Sequence, residues 1–192
     1  MAARDRLVDT YRQVADVPLP LPLPAYRWLG LAGDREPVVG LVRALLAQLA
    51  VFHAPDDLRV AVCADARRRP DWEWVKWLPH AWHPVRRDAA GPLRGLVEDL
   101  PAGAGRPYLV VVRDGGAGGD LPGRDGVTVL DLDPLPDRAT GPAEAVLEVS
   151  AGRVTVVATG HDGGQGGADP LAGTLTGTPD RLSLPEAETL AR

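Results

Sequence analysis

Apolar residues follow two different patterns along the first third of this chain. Residues 27–33 form an apolar run that ends at Gly33, and they predict a first buried strand. From Pro37 onward the apolar residues recur with a period of about 3.6, which predicts a helix with one broad apolar face. This face comprises Val38, Leu41, Val42, Leu45, Leu46, Leu49 and Phe52. The continuous apolar run at residues 58–65 then predicts a second strand, buried on both faces.

A strand, a helix and a strand within about forty residues predict a right-handed βαβ unit and hence a parallel sheet. Apolar runs at residues 107–116 and 126–132 predict a third and a fourth strand. Residues 145–158 alternate around Ala151 and Gly152, which predicts an edge hairpin. The predicted fold is therefore α/β: a mostly parallel sheet flanked by helices, with a C-terminal β-hairpin at the edge.

Shorter helices are predicted at residues 4–15 and 91–100, and residues 66–79 predict a basic loop followed by a short helix that starts near Asp71. A last one begins with a capping-box pattern from Ser183 to Glu186. Its apolar face is incomplete at the end of the chain, so we expect an excised segment of a longer protein.

Proline and glycine interrupt these elements at two places. Four alternate prolines predict an extended strap: Pro18, Pro20, Pro22 and Pro24. Such a strap is either a ligand for a proline-recognition domain or a spacer along the surface, and its position between two segments predicted to be ordered favours the spacer. Glycine-rich residues 160–179 predict a mobile loop. We divide the chain into a helix and strap, 1–26, and an α/β domain, 27–192.

Composition narrows the classes of function. A chain of 192 residues is the size of one ordinary domain, and its formal charge of −5 argues against binding to nucleic acid. The single cysteine, Cys63, excludes a disulfide framework, and no apolar run reaches the length of about eighteen residues that crosses a bilayer. We expect a soluble segment that does not itself insert into a membrane.

The turn between the first strand and its helix is where many α/β proteins bind phosphate. Lys76 is the only lysine and no glycine-rich loop precedes it, so an intact Walker A motif is absent. The turn consists instead of Gly33, Asp34, Arg35, Glu36 and Pro37. Its two carboxylates and its proline, which lacks an N–H donor, oppose phosphate binding. Val38 and Val39 offer no hydroxyl for Mg²⁺, so we expect neither ATP nor Mg²⁺ as a cofactor.

Other candidate residues have alternative interpretations. Asp114 ends the third strand as a Walker B acid does, and it either binds Mg²⁺ or caps the turn before Gly115, which we favour. The histidines His53, His80, His83 and His161 lack the spacing of a metal site, so no metal is expected. Four tryptophans cluster in the sequence: Trp72, Trp74, Trp77 and Trp82. Tryptophans can stack on bases, but the acidic chain favours packing or a partner interface.

Several segments resemble one protein family. The segment VRALLAQLAVFHAPDDLRVAVC resembles the stretch after Walker A in FtsK/SpoIIIE-type ATPase modules of type VII (ESX) secretion. The segments LVDTYRQVADVPLPL, DWEWVKWLPH and PDRLSLPEAETLAR resemble the membrane-proximal DUF domain of the EccC family. The likeness extends from about Leu7 to Arg192. It implies a P-loop-NTPase-like fold of the RecA/FtsK type.

The resemblance also implies a function. Gly33–Val39 would be the altered Walker A turn and Asp114 the Walker B-like acid, so ATP turnover should not be transferred to this domain. It implies a structural and regulatory domain of a secretion motor at the cytoplasmic face of the plasma membrane. Its partners would be the other domains of a homo-hexameric ATPase and the membrane components. The alternatives are a nucleotide-sensing or active ATPase that uses Asp114, with Arg35 in place of lysine, and a free-standing adaptor.

Overall fold

A computed structural model describes five segments of the chain: residues 20–81, 107–115, 125–134, 144–159 and 176–192. The predicted helices at 4–15 and 91–100, Trp82 and residues 160–175 lie outside them. The described residues form one seven-stranded sheet in the order β2-β3-β4-β1-β5-β6-β7. The strands are β1 (Trp28–Gly33), β2 (Leu58–Ala64), β3 (Tyr108–Asp114), β4 (Val127–Asp131), β5 (Glu144–Val149), β6 (Val154–Thr159) and β7 (Thr176–Gly177).

The sheet confirms the predicted α/β, P-loop-NTPase-like architecture. Strands β2, β3, β4, β1 and β5 are parallel, and β6 pairs antiparallel to β5. The predicted hairpin is present, and its turn closes with a bond from the Ser150 N–H to the Arg153 carbonyl. The last two-residue strand, β7, pairs with β6, so residues 176–177 are strand and not loop as predicted.

The order of the strands differs from a simple βαβ unit. Strands β1 and β2 are parallel members of one sheet, but β3 and β4 lie between them. The connection from β1 through the first helix therefore crosses two strand positions. This order leaves the carboxyl ends of β1 and β3 on either side of β4, at the edge where α/β proteins place their ligands.

Helix α1 (Arg35–Phe52) packs on the sheet through the predicted apolar face. Val38, Val42 and Leu46 are buried, because the 3.6-residue period keeps them on the side that faces the strands. The prediction for Phe52 is wrong, since its side chain is 79% exposed at the last residue of the helix. Asp34 occupies the N-cap position but makes no side-chain capping bond.

Two 3₁₀ helices, η1 (Leu23–Ala25) and η2 (Arg69–Trp77), complete the core. The end of the proline strap is η1 and is not extended, because Pro24 lies within the 3₁₀ turn. The Thr128 hydroxyl holds it, at 2.8 Å from the Leu23 carbonyl oxygen and 2.5 Å from that of Tyr26. Leu23 and Tyr26 are buried, which agrees with a strap packed on the domain.

Helix α2 (Leu184–Ala191) packs against α1 and η2. The predicted capping box is present: the Ser183 N–H and hydroxyl lie 2.8 and 2.7 Å from a Glu186 carboxylate oxygen. Before the helix, the Leu182 N–H donates to the Gly40 carbonyl of α1. The segment that leads into α2 is thus attached to the helix that follows β1.

Candidate functional site

The turn after β1 approaches β5 too closely for any side chain. Gly33 has φ +132°, and a Cβ there would lie 2.0 Å from the Val149 carbonyl oxygen. A backbone oxygen in a strand cannot move aside without breaking the β1–β5 ladder. Gly33 is therefore required by the packing of the sheet, whether or not a phosphate binds nearby.

The Asp114 side chain, at the end of β3, is fully buried and accepts four hydrogen bonds. Its Oδ1 is 3.0 Å from Arg35 Nη1 and 2.8 Å from Arg68 Nη1. Its Oδ2 is 3.1 Å from Arg35 Nη2 and 2.7 Å from Trp72 Nε1. Because a carboxylate has about four lone-pair sites, these donors saturate it.

The contact between Asp114 and Arg35 shifts the pKa values of both groups. Burial alone would raise the pKa of Asp114, but the hydrogen bonds from Arg35 and Trp72, with the positive charge of Arg35, outweigh burial and hold the pKa below its ordinary value. The hydrogen bond to Asp114 is the main reason that the pKa of Arg35 is raised. Asp114 and Arg35 are therefore both charged at neutral pH.

The contact belongs to a larger ion-pair network. Asp71 Oδ2 lies 2.5 Å from Arg35 Nη2, and Asp71 Oδ1 lies 3.4 Å from Arg43 Nη2. Arg68 also pairs with Asp133, which follows β4. The network contains as many guanidinium groups as carboxylates: Arg35, Arg43, Arg68, Asp71, Asp114 and Asp133. Its formal charge is therefore zero, and it joins α1, η2, β3 and the end of β4.

This arrangement does not favour binding of Mg²⁺ or of a phosphate at the end of β3. Asp114 has no free lone pair for Mg²⁺, and Arg35 directs its guanidinium at a carboxylate instead of a phosphate. Among the described residues, no group of three or more His, Cys, Asp or Glu side chains has the arrangement of a metal site. The network is therefore suited to holding four elements together.

A second strand-terminal aspartate is paired on the other face of the sheet. Asp131 is buried at the end of β4, where its Oδ2 lies 3.1 Å from Trp28 Nε1 and 2.9 Å from Arg113 Nη2. The Trp28 ring extends over Gly30, where a Cβ would lie 2.6 Å from the indole. Each face thus carries an aspartate bound by one tryptophan and at least one arginine.

The structure separates the predicted tryptophan cluster. Trp72 and Trp74 are buried in the core, whereas Trp77 is 55% exposed. The 3₁₀ period of three residues places Trp72, Val75 and Leu78 on one buried face, and Trp77 lies outside it. Burial of Trp72 and Trp74 agrees with the packing alternative, and among the described tryptophans of this cluster Trp77 is the one accessible to a partner.

Sequence reasoning selected Asp114 and Arg35 but missed Arg68, Asp133 and the donor role of Trp72. The available signal was the run of three consecutive arginines at residues 67–69, which extends from the loop after β2 into the first residue of η2. Glu36, beside Arg35, is exposed, and Pro37 is buried in the first turn of α1.

Relatives of this chain share one name. It is 36% identical to the ESX secretion system protein EccC of Thermomonospora curvata over 97% of this chain and 16% of the relative. It is 33% identical to the ESX-3 secretion system protein EccC3 of Mycobacterium tuberculosis, again over 97% of this chain and 15% of the relative. The chain is a domain of the EccC family.

This EccC-family domain spans about one sixth of the length of these curated relatives, as the coverage of 16% and 15% shows. A 91-residue part of it is 44% identical to the ESX-4 secretion system protein EccC4 of M. tuberculosis, over 47% of the chain and 7% of the relative. No protein-family model matches the chain. Within the described segments, neither helix is long and apolar enough to cross a membrane.

Proposed function

We propose that this EccC-family domain is a non-catalytic structural and regulatory module of a type VII (ESX) secretion motor. It sits between membrane components and the ATPase modules of a homo-hexameric parent, at the cytoplasmic face of the plasma membrane. It transmits conformational state between them through its packing surfaces. The names of its relatives, which are ESX secretion system proteins, support the secretion context.

The saturation of Asp114 is the observation that carries the non-catalytic role. In a working P-loop ATPase this acid helps to hold Mg²⁺, and a lysine reaches the phosphates. Here Arg35 extends from the start of α1 to Asp114, and Arg68 meets the same oxygen from the β2–η2 loop. The anion that Arg35 and Arg68 bind here is therefore the Asp114 carboxylate of the protein itself.

Calorimetry with Mg-ATP tests this proposal. We expect the wild-type domain to release no heat of binding at millimolar nucleotide. Asp114→Asn is the matched variant, because it keeps the shape but removes the charge that neutralises Arg35 and Arg68, so we expect it to gain weak affinity for ATP. Micromolar binding to the wild type would overturn the non-catalytic role.

A second candidate function is nucleotide sensing, with Arg35 in place of the Walker lysine. The observation in its favour is that Arg35 lies at the start of α1 and is 42% exposed, so its guanidinium can be approached from solvent. Binding would require the nucleotide to displace Asp114 from Arg35. The same titration separates the two functions, because a sensor binds Mg-ATP as wild type.

Trp77 offers a test of the proposed packing surfaces. Lys76 Nζ lies 5.4 Å from the centroid of its exposed ring, so the two form one surface feature. We expect Trp77→Ala to lower the free energy of unfolding by about 1–2 kcal/mol, because the half-exposed ring still buries part of its surface. In the full-length motor it should lower secretion at unchanged protein abundance.

Trp74→Ala is the contrasting variant, and it should cost about 3–5 kcal/mol because its ring is buried. Normal secretion by Trp77→Ala would remove Trp77 from the interface.

A further inference from the structure

The C-terminal end of α1 exposes two large apolar side chains. Val51 is 66% exposed and Phe52 is 79% exposed, and Phe52 is the only phenylalanine of the chain. Burying a side chain of this size stabilises a protein or a complex by about 1.5–3 kcal/mol. Neighbouring apolar side chains that remain in solvent are typical of interaction sites.

The segment that follows these side chains, residues 53–59, carries two aspartates and one arginine. Asp56 has a fully exposed side chain whose nearest ion-pair contact, to Arg59, is 3.9 Å long, and Asp57 is exposed beside it. The negative end of the α1 dipole points to the same place, and the last turn of this described helix contains no basic residue. The two apolar side chains are therefore bordered by a net negative charge.

We propose that Val51, Phe52, Asp56 and Asp57, the α1-terminal patch, bind a basic amphipathic segment of a partner protein. Apolar side chains of that segment would cover Phe52, and its lysines or arginines would pair with the aspartates and the end of the helix. An anionic lipid surface and nucleic acid do not fit the patch, because their charge would be repelled.

The patch is separate from the ion-pair network. Helix α1 begins beside Asp114 at the carboxyl ends of the parallel strands and ends just before β2 begins, at the opposite edge of the sheet. The proposed partner-binding patch and the site tested for nucleotide binding are therefore at opposite ends of α1, and each can be tested without the other. Failure of one proposal leaves the other standing.

Site-specific photo-crosslinking in the full-length protein, within its native membrane assembly, tests the proposal. We would substitute p-benzoylphenylalanine for Phe52 and identify the crosslinked peptide by mass spectrometry. The expected product is a segment of another polypeptide with apolar residues and a net positive charge. Joint Asp56→Lys and Asp57→Lys substitutions should reduce its yield at least tenfold, whereas the control Glu73→Lys should not.

The remaining outcomes overturn the proposal. One is a crosslinked product with lipid, with nucleic acid, with an acidic segment or with residues of this same chain. The others are the absence of any product and an unchanged yield in the aspartate variants. Placing the crosslinker at Leu190, which is 44% exposed on α2, controls for nonspecific capture. The joint aspartate variant should leave the Tm within about 2 °C of the wild type, since both side chains are exposed, so that loss of the product is not due to unfolding.

Discussion

Replacing Asp114 with alanine should lower the free energy of unfolding by about 2–4 kcal/mol. The substitution leaves Trp72 Nε1 buried without its acceptor and removes the counterion of two arginines. Arg35 and Arg68 are 42% and 31% exposed, so water compensates part of the loss and the effect stays below that of a fully buried pair. Thermal unfolding should show a fall in Tm of about 4–16 °C.

Asp125→Ala is the matched control for this prediction. Asp125 also forms an ion pair with an arginine, Arg27, but both side chains are largely exposed. Its loss should cost less than about 1 kcal/mol. Equal destabilisation by the two substitutions would show that burial of Asp114 does not matter.

Acid titration gives an independent test of the same contact. The folded-state pKa of Asp114 is lowered, so the unfolded chain binds the proton more readily. Its contribution to stability is therefore complete above the ordinary carboxyl pKa, and it is lost as the pH falls through the lowered value. The difference in stability between wild type and Asp114→Ala should be constant near neutrality and shrink below about pH 4. A difference that grows on acidification would contradict the ion pair.

Gly33→Ala should be at least as damaging, at about 2–5 kcal/mol. An alanine at φ +132° adopts a strained backbone, and its Cβ would collide with the Val149 carbonyl at 2.0 Å. Relief requires separating the ends of β1 and β5, which pair at this position. Denaturant unfolding followed by circular dichroism measures the loss.

Gly152 provides the comparison for Gly33. It lies in the turn of the β5–β6 hairpin, and a Cβ there would meet nothing within 4 Å. Gly152→Ala should therefore change the free energy of unfolding by no more than about 0.5 kcal/mol. If both glycine substitutions cost the same, the close approach to Val149 is not what destabilises Gly33→Ala.

Local patterns predicted the elements of this fold well. The apolar runs at β2 and β3, the 3.6-residue period of α1 and the capping box at Ser183 each depend on residues close together in the chain. The neighbours of β1 were not predictable in this way, because pairing depends on the whole sheet. The exposure of Phe52 was missed for a related reason: periodicity identifies a helix face but not where the sheet beneath it ends.

Two residues of the candidate site could be selected from the sequence, but the contacts between them could not. The missing lysine directed attention to Arg35 in the turn, and the acid at the end of the third strand directed it to Asp114. Their direct contact joins residues 79 positions apart, and Arg68 reaches Asp114 from 46 positions away. A single sequence contains no signal that links such positions. The sequence offered packing or a partner interface for the tryptophans without separating them, and the period of three residues in η2 is what buries Trp72 and leaves Trp77 exposed.

The position of β1 between β4 and β5 determines when the sheet can form during synthesis. Trp28 of β1 bonds to Asp131 of β4, 103 residues later, and β5 follows β4. At a translation rate of about 5–20 residues per second, β1 emerges from the ribosome about 5–20 s before its first partner strand. Strands β2 and β3 can pair earlier, whereas the centre of the sheet is completed only after β4 and β5 have been made. The newly made chain must keep the apolar strand β1 from aggregating until then.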